Sequence, residues 1–258
     1  MSAQATDPGN DDLVEYLLRL GDTALINGQR LSEWCGHAAF LEQDISFANT
    51  ALDFIGRARV LLGRAAALSG GDATEDTLAF LREERHYRNL LLVEQPNRDF
   101  GDTVIRQYLL DEFECLHFEA LTASADSELA AIAAKTLKEC HYHRRQSAGW
   151  VVRLGDGTEE SHQRAQQALD INWCYTDEMF ASDELEQRLA AAGVGTDVAA
   201  LRAPWQAAVE ATLDTATLAV PDDDNQVYGG RYGRHTEHMG FLLAEMQHMQ
   251  RMYPGQEW

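Results

Sequence analysis

The chain has 258 residues, a hydrophobic content of 45% and a formal net charge of -21 at pH 7. This length and apolar content predict a globular protein with a substantial core. The negative charge argues against nucleic acid or an anionic membrane surface as a partner, because both attract basic patches. No apolar run approaches the length of a bilayer span and no secretory leader is recognisable, so a cytoplasmic protein is expected.

Residues 1–10 are polar and predict a disordered tail, after which a single domain is expected from 11 to 258. Apolar residues recur at helical spacing along almost all of that domain. They predict helices at 11–27, 40–68, 74–93, 103–123, 126–155, 159–180, 183–192, 197–218 and 235–252. The connections are short, apart from residues 219–233.

The second of these helices is the longest clear pattern, and its two faces can be predicted. The residues of one stripe are expected to face the core: Leu41, Ile45, Ala48, Leu52, Ile55 and Leu62. Asp53 and Arg57 are one turn apart and are expected to form an outward ion pair.

No segment alternates in the manner of a strand, so the expected fold class is all-α. The four long helices that begin near residues 11, 40, 103 and 126 are sufficient for a four-helix bundle, with the additional helices packed around it. Asp102 is expected to cap the third of these long helices.

One stretch combines a strong helical pattern with potential metal ligands: TLKECHYHRRQSAGWVVRL, residues 136–154. Glu139 and His143 share a helix face one turn apart. A carboxylate and an imidazole on one helix are what a carboxylate-bridged di-iron bundle needs. Its usual spacing is Glu-x-x-His, however, and here Tyr142 stands where the histidine is expected. The stretch is therefore either a metal site or the remains of one.

Further potential ligands occur in the chain order that a di-iron bundle requires. They are Asp44, Glu83 with His86, then one of Asp111, Glu112 or Glu119, and finally Glu139 with His143. Glu83 and His86 have the Glu-x-x-His spacing, but they lie in a run so charged that it is typical of a solvated face.

The same region also suits a degenerate site that binds no metal. Carboxylates inside a bundle are costly without partners, so loss of iron requires cationic or hydroxyl replacements. Lys135, Tyr142 and Arg144 are expected to supply them. The residues proposed for the degenerate site are Asp44, Asp111, Glu139, Tyr142 and His143, with Glu83 and His86 as an alternative pair.

The C-terminal region offers two weaker signals. Its methionines favour core filling over contact with a cofactor. They are Met239, Met246, Met249 and Met252. The glycines and arginines of residues 229–234 are compatible with a phosphate of CoA, but no strand precedes them, which favours a flexible basic loop.

Several long blocks resemble one known family. They are GQRLSEWCGHA (28–38), DTLAFLREER (76–85), NLLLVEQPN (89–97), KECHYH (138–143) and HTEHMGFLLAEMQHMQRMYPGQEW (235–258). In content and order these blocks resemble the C subunits of bacterial phenylacetyl-CoA 1,2-epoxidases, which act in aerobic phenylacetate degradation. The resemblance extends from about residue 16 to residue 258.

The resemblance implies a ferritin-like bundle that assembles with a homologous catalytic A subunit, or forms a homodimer when alone. It places the di-iron centre and the CoA-thioester site in that A subunit, and NADPH, FAD and iron–sulfur cofactors in a reductase subunit. This chain is then expected to bind no cofactor and to have a structural, accessory role. The alternative that its own residues leave open is a di-iron oxidase or hydroxylase active in its own right.

Overall fold

The computed structural model describes residues 8–222 and 224–256. The α-helices are α1 (Pro8–Ser32), α2 (Leu41–Ser69), α3 (Glu75–Phe80), α4 (Phe100–Leu121), α5 (Ser127–Gly155), α6 (Glu159–Trp173), α7 (Glu184–Ala191), α8 (Arg202–Thr215), α9 (Glu237–Met246) and α10 (His248–Met252). Short 3-10 helices occur at Glu84–His86, Leu91–Glu94, Asp177–Phe180, Val198–Leu201 and Gly230–Tyr232. The described residues contain no strand, and the predicted all-α fold class is confirmed.

Most predicted helices are present, but several begin or end at residues other than those predicted. Residues 1–7 of the predicted tail lie outside the described residues, whereas residues 8–10 already belong to α1. The helix predicted at 159–180 stops at Trp173, and the one predicted at 235–252 is interrupted at Gln247. The predicted cap Asp102 is wrong, because Asp99 caps α4 by accepting a hydrogen bond from the Asp102 backbone N–H at 2.8 Å.

The helix predicted at 74–93 is also wrong, since α3 ends at Phe80. The chain turns there because buried Asp22 holds it from two sides. The Arg82 guanidinium binds the Asp22 carboxylate, and the Arg88 backbone N–H donates to Asp22 Oδ2 at 2.9 Å. A backbone N–H that donates to a side chain in this way is withdrawn from a helical ladder. Tertiary contacts therefore override the helical pattern here.

The described residues form two compact units. The first comprises the described parts of Met1–His37, Glu42–Leu90 and Gly229–Trp258, and the second comprises Ala38–Leu41 and Leu91–Tyr228. The single domain expected from 11 to 258 remains a prediction.

In the first unit, the C-terminal helices are held by hydrogen bonds to the segment that follows α3. Gln247 Nε2 donates to the Tyr87 hydroxyl at 2.7 Å and to the Arg82 carbonyl at 3.0 Å. Met239 is buried, as predicted, but Met249 and Met252 are exposed, so core filling is the wrong interpretation for these two.

Residues 229–234 also belong to the first unit and are not a free basic loop. Arg231 is buried. Gly233 has a φ of 69° and lies so close to the chain that a Cβ there would be 2.0 Å from the Arg85 carbonyl oxygen. This close approach requires a glycine, so the prediction of a flexible loop is wrong.

The predicted core face of α2 is correct only in part. Leu62 is buried, and Ala48 and Ile55 are half-buried. Leu41, Ile45 and Leu52, in contrast, are 71%, 51% and 65% exposed, respectively. Arg57, predicted to point outward, is buried, with its guanidinium 4.5 Å from the centroid of the Phe54 ring. The buried side of the helix includes Phe47, Ala51, Phe54, Ala58, Leu61 and Leu62. Because both sides of α2 carry apolar residues, periodicity alone could not select the buried one.

The second unit is built around α4. Nearly every residue of α4 is buried, which is the pattern of a helix surrounded by other elements. Helices α5, α6 and α8 pack against it. Asp126 caps α5 by accepting from the backbone N–H groups of Glu128 and Leu129, in agreement with the predicted start of this helix.

The C-terminal end of α5 is fixed by a close approach to the residue that follows α8. A Cβ on Gly155 would lie 2.2 Å from the Ala216 carbonyl oxygen. We therefore expect Gly155→Ala to lower the free energy of unfolding by about 3 kcal/mol through overpacking. Gly149 lies in the same helix with nothing within 4 Å of its Cβ position, and Gly149→Ala should raise that free energy by about 0.5–1 kcal/mol through helix propensity.

Urea unfolding followed by circular dichroism measures both values. Equal effects of the two substitutions would contradict the tight contact at Gly155.

Candidate functional site

Four carboxylates lie on α4 inside the second unit: Asp102, Asp111, Glu112 and Glu114, all less than 7% exposed. A carboxylate removed from water is costly unless it is paired or hydrogen-bonded. The partners of these acids therefore decide what the site can do.

Asp111 is 1% exposed and has a donor on each oxygen. Gln107 Nε2, one turn earlier on α4, donates to Oδ1 at 2.7 Å. The Ser147 hydroxyl of α5 donates to Oδ2 at 2.7 Å. The chain itself thus satisfies both oxygens of this buried carboxylate.

Glu112 is compensated by charge rather than by a short contact. Arg144 Nη1 of α5 lies 3.8 Å from Glu112 Oε2. Burial raises the pKa of Glu112, and both the Arg144 charge and the nearby Tyr108 hydroxyl oppose that rise. Burial also raises the pKa of Tyr108, so its hydroxyl stays neutral, and it donates to the Ala208 carbonyl at 3.4 Å.

The other two acids have neutral or partly exposed partners. The Cys140 thiol of α5 is 3.9 Å from Glu114 Oε2. Asp102 Oδ1 accepts from Asn172 Nδ2 at 3.0 Å and from Arg98 Nη1 at 3.0 Å.

Three of these partners occupy one face of α5. Cys140, Arg144 and Ser147 follow each other at spacings of four and three residues, which places them on a single helical stripe. That stripe meets Glu114, Glu112 and Asp111 on α4, respectively.

The predicted residues of α5 divide between the inside and the surface. His143 is buried and Glu139 is half-buried. Tyr142 is 41% exposed, and its hydroxyl accepts from Gln146 Nε2 at 3.1 Å. Of the three groups expected to pair the acids, Arg144 does so with Glu112, whereas Lys135 is exposed.

The remaining predicted ligands lie outside this cluster. Asp44 is half-buried on α2 in the first unit, where its Oδ2 accepts from the Gly36 backbone N–H at 2.7 Å. Glu83 and His86 are exposed on a 3-10 turn of the same unit rather than on an α-helix. Glu119 is exposed near the end of α4.

Sequence reasoning missed Glu114 and His117, although they have the Glu-x-x-His spacing on α4 and both are buried. The His117 ring lies 5.1 Å from that of Phe113 and 5.9 Å from that of Phe118, centroid to centroid. The spacing was visible in the sequence, and only the burial of α4 on all sides distinguishes this pair from chance.

The contacts around Asp111 do not fit a di-iron centre. Such a centre needs carboxylate and imidazole ligands from several helices that converge on the metal, whereas each Asp111 oxygen meets a neutral donor of this chain, Gln107 or Ser147. In the part of the chain that the structure describes, no three His, Cys, Asp or Glu side chains come together closely enough to hold a metal ion.

Comparison with known proteins shows the family to which the chain belongs. The sequence pattern of the family described as "Phenylacetic acid catabolic protein" matches residues 1–258. The chain belongs to this family. It is also 50% identical over 248 residues to the C subunit of 1,2-phenylacetyl-CoA epoxidase from Escherichia coli (strain K12), and the alignment covers 96% of this chain and 100% of the relative.

Membership of the phenylacetic acid catabolic protein family confirms the resemblance to the epoxidase C subunits. Among the described residues, no helix is both long enough and apolar enough to cross a membrane.

The Ser147–Asp111 hydrogen bond can be tested by removing its donor. We expect Ser147→Ala to lower the free energy of unfolding by about 2 kcal/mol, because a buried carboxylate loses one of its two donors. Tyr142→Phe, which removes an exposed hydrogen bond on the same helix, should change it by less than about 0.5 kcal/mol. Chemical denaturation measures both, and a larger loss for Tyr142→Phe would show that the outward side of α5 matters more.

The raised pKa of Glu112 predicts a pH dependence. The folded chain holds this proton more tightly than the unfolded chain, so the contribution to stability is complete below the ordinary glutamate pKa of 4.5. It is lost as the pH rises through the folded-state pKa. Glu112→Gln lacks this loss, so its free energy of unfolding relative to the unmodified chain should increase from pH 4 to pH 7.

Glu119→Gln is the matched control, because the Glu119 side chain is exposed on the same helix. Its difference from the unmodified chain should stay constant over the same range. A Glu112→Gln difference that is constant, or that shrinks with rising pH, would contradict the assignment.

Proposed function

We propose that this chain is a non-catalytic accessory subunit of a phenylacetyl-CoA 1,2-epoxidase in aerobic phenylacetate degradation in the cytoplasm. Its role is to stabilise the di-iron catalytic A subunit. The observation that carries the proposal is the buried Asp111 carboxylate, whose two oxygens accept from Gln107 and Ser147. The relative's name, which makes it the C subunit of such an epoxidase, supplies the enzyme.

In this proposal the chain binds no cofactor. Iron is held by the catalytic A subunit, and NADPH, FAD and iron–sulfur cofactors belong to the reductase subunit. What this chain contributes is a helical unit that is internally charge-compensated. Arg144 near Glu112 and Ser147 on Asp111 allow α4 and α5 to pack without a metal ion between them.

One observation favours a second candidate function, a di-iron oxidase active in its own right. Glu114 and His117 form a buried Glu-x-x-His on α4, the spacing used by carboxylate-bridged centres. On α5, Glu139 is half-buried and His143 is buried.

Turnover by the separate and combined subunits distinguishes the two functions. We expect no epoxide from this chain with reductase, NADPH, oxygen and phenylacetyl-CoA, and full turnover once the catalytic A subunit is added. Glu139→Gln in this chain should leave the turnover of the complex within about twofold, since a residue without a role in the chemistry does not affect the transition state.

Removing this chain should lower the thermal midpoint of the catalytic A subunit, because a partner that binds only the folded state stabilises it. Product formed by this chain alone, and lost in Glu139→Gln, would establish the second function instead.

A further inference from the structure

The exposed side of α2 has the properties of a helix-docking surface. Ile45, Leu52, Gly56 and Val60 are all exposed and are separated by seven, four and four residues, which is two turns and then one turn each. We call these four residues of the first unit the α2 stripe. Such spacing produces a narrow apolar ridge along one side of a helix rather than a broad patch.

The α2 stripe ends in charge at both ends. Glu42 is exposed one turn before its first residue. Arg59, 75% exposed at the other end, lies 3.3 Å from a carboxylate oxygen of Glu75. An apolar centre with a charged rim is the anatomy of a protein interface. Over the 15 residue steps from Ile45 to Val60 the stripe is about 22 Å long, which matches a partner helix of about four turns.

Gly56 adds an observation of a different kind. It lies in the middle of α2 and is exposed, and no atom of the described residues is within 4 Å of its Cβ position. An interior glycine destabilises a helix relative to alanine. Among the described residues, none is close enough to Gly56 to exclude an alanine side chain there. A glycine at this position allows another backbone to approach closely.

The net charge of the chain disfavours a second copy of the chain as the occupant of the α2 stripe. A second copy would bring together two molecules with a formal net charge of -21 each, and like charges oppose association. A different subunit carries this penalty only if it is strongly acidic as well. The relative that covers nearly the whole chain is itself named as one subunit of a larger enzyme.

We propose that the α2 stripe docks one helix of the catalytic A subunit, packed along α2 and closest to it at Gly56. This inference rests on the proposed function, because that function supplies the partner.

The test measures binding of the purified catalytic A subunit to the full chain and its variants. Leu52→Glu should raise the Kd by at least about 100-fold, because it buries an unpaired carboxylate at the centre of the interface. Val220→Glu is the matched control, since it makes the same kind of change at an exposed apolar residue of the second unit. It should leave the Kd unchanged within about twofold.

Substitutions at Gly56 separate an effect on binding to the catalytic A subunit from an effect on the stability of the isolated chain. Gly56→Ala should raise the Tm of the isolated chain by about 2–4 °C. Gly56→Leu should fold equally well but raise the Kd for the catalytic A subunit at least about tenfold, because it blocks close approach.

The outcomes are distinguishable. If the unmodified chain does not bind the catalytic A subunit, the proposed function fails. If it binds and Leu52→Glu and Gly56→Leu bind equally well, the proposed function stands and the docking surface is wrong. If the unmodified chain forms a dimer in sedimentation analysis that Leu52→Glu dissociates, the occupant is a second copy and the inference is overturned.

Discussion

Burial of four carboxylates on α4 is the constraint on which the second unit depends. A helix enclosed by α5, α6 and α8 offers its acids no water, and an isolated charge in such a place costs far more than the stability of a typical domain can bear. The chain meets this constraint with neutral donors for some acids and guanidinium groups for others. Asp111 receives two neutral donors, Glu112 a guanidinium, Glu114 a thiol, and Asp102 an amide and a guanidinium.

This arrangement accounts for the side chains that α5 presents to α4. Cys140, Arg144 and Ser147 are unrelated in chemistry, yet each lies at the helical position that faces an acid of α4. A bundle that compensates its own carboxylates can fold without iron.

The sequence predicted the fold class and the starts of the long helices well, because amphipathic periodicity and caps such as Asp126 are local signals. It failed where tertiary contacts decide. Asp22 holds Arg82 and the Arg88 backbone and ends the helix predicted at 74–93. On α2, where both sides are apolar, the pattern assigned three exposed residues, Leu41, Ile45 and Leu52, to the core.

The residues of the candidate site were likewise predicted only in part. The helix of residues 136–154 and its contact with buried acids were predictable, and Arg144 was correctly chosen as a counter-charge. Tyr142 was not, because a shift of one residue turns a side chain by about 100° and places it at the surface. Ser147, Gln107 and the Glu114–His117 pair were missed, because short polar residues and Glu-x-x-His spacings are common in an acidic chain. Only the burial of α4, which the structure shows, distinguishes these residues from chance occurrences.

The central claim is that the acids of α4 are compensated by the chain itself and hold no metal. Its most direct test is anaerobic loading of the purified chain with ferrous iron, followed by gel filtration and metal analysis. The proposal predicts a folded protein that retains well under one iron per chain. Two irons retained per chain, and lost in a Glu114→Gln variant that remains folded, would contradict it.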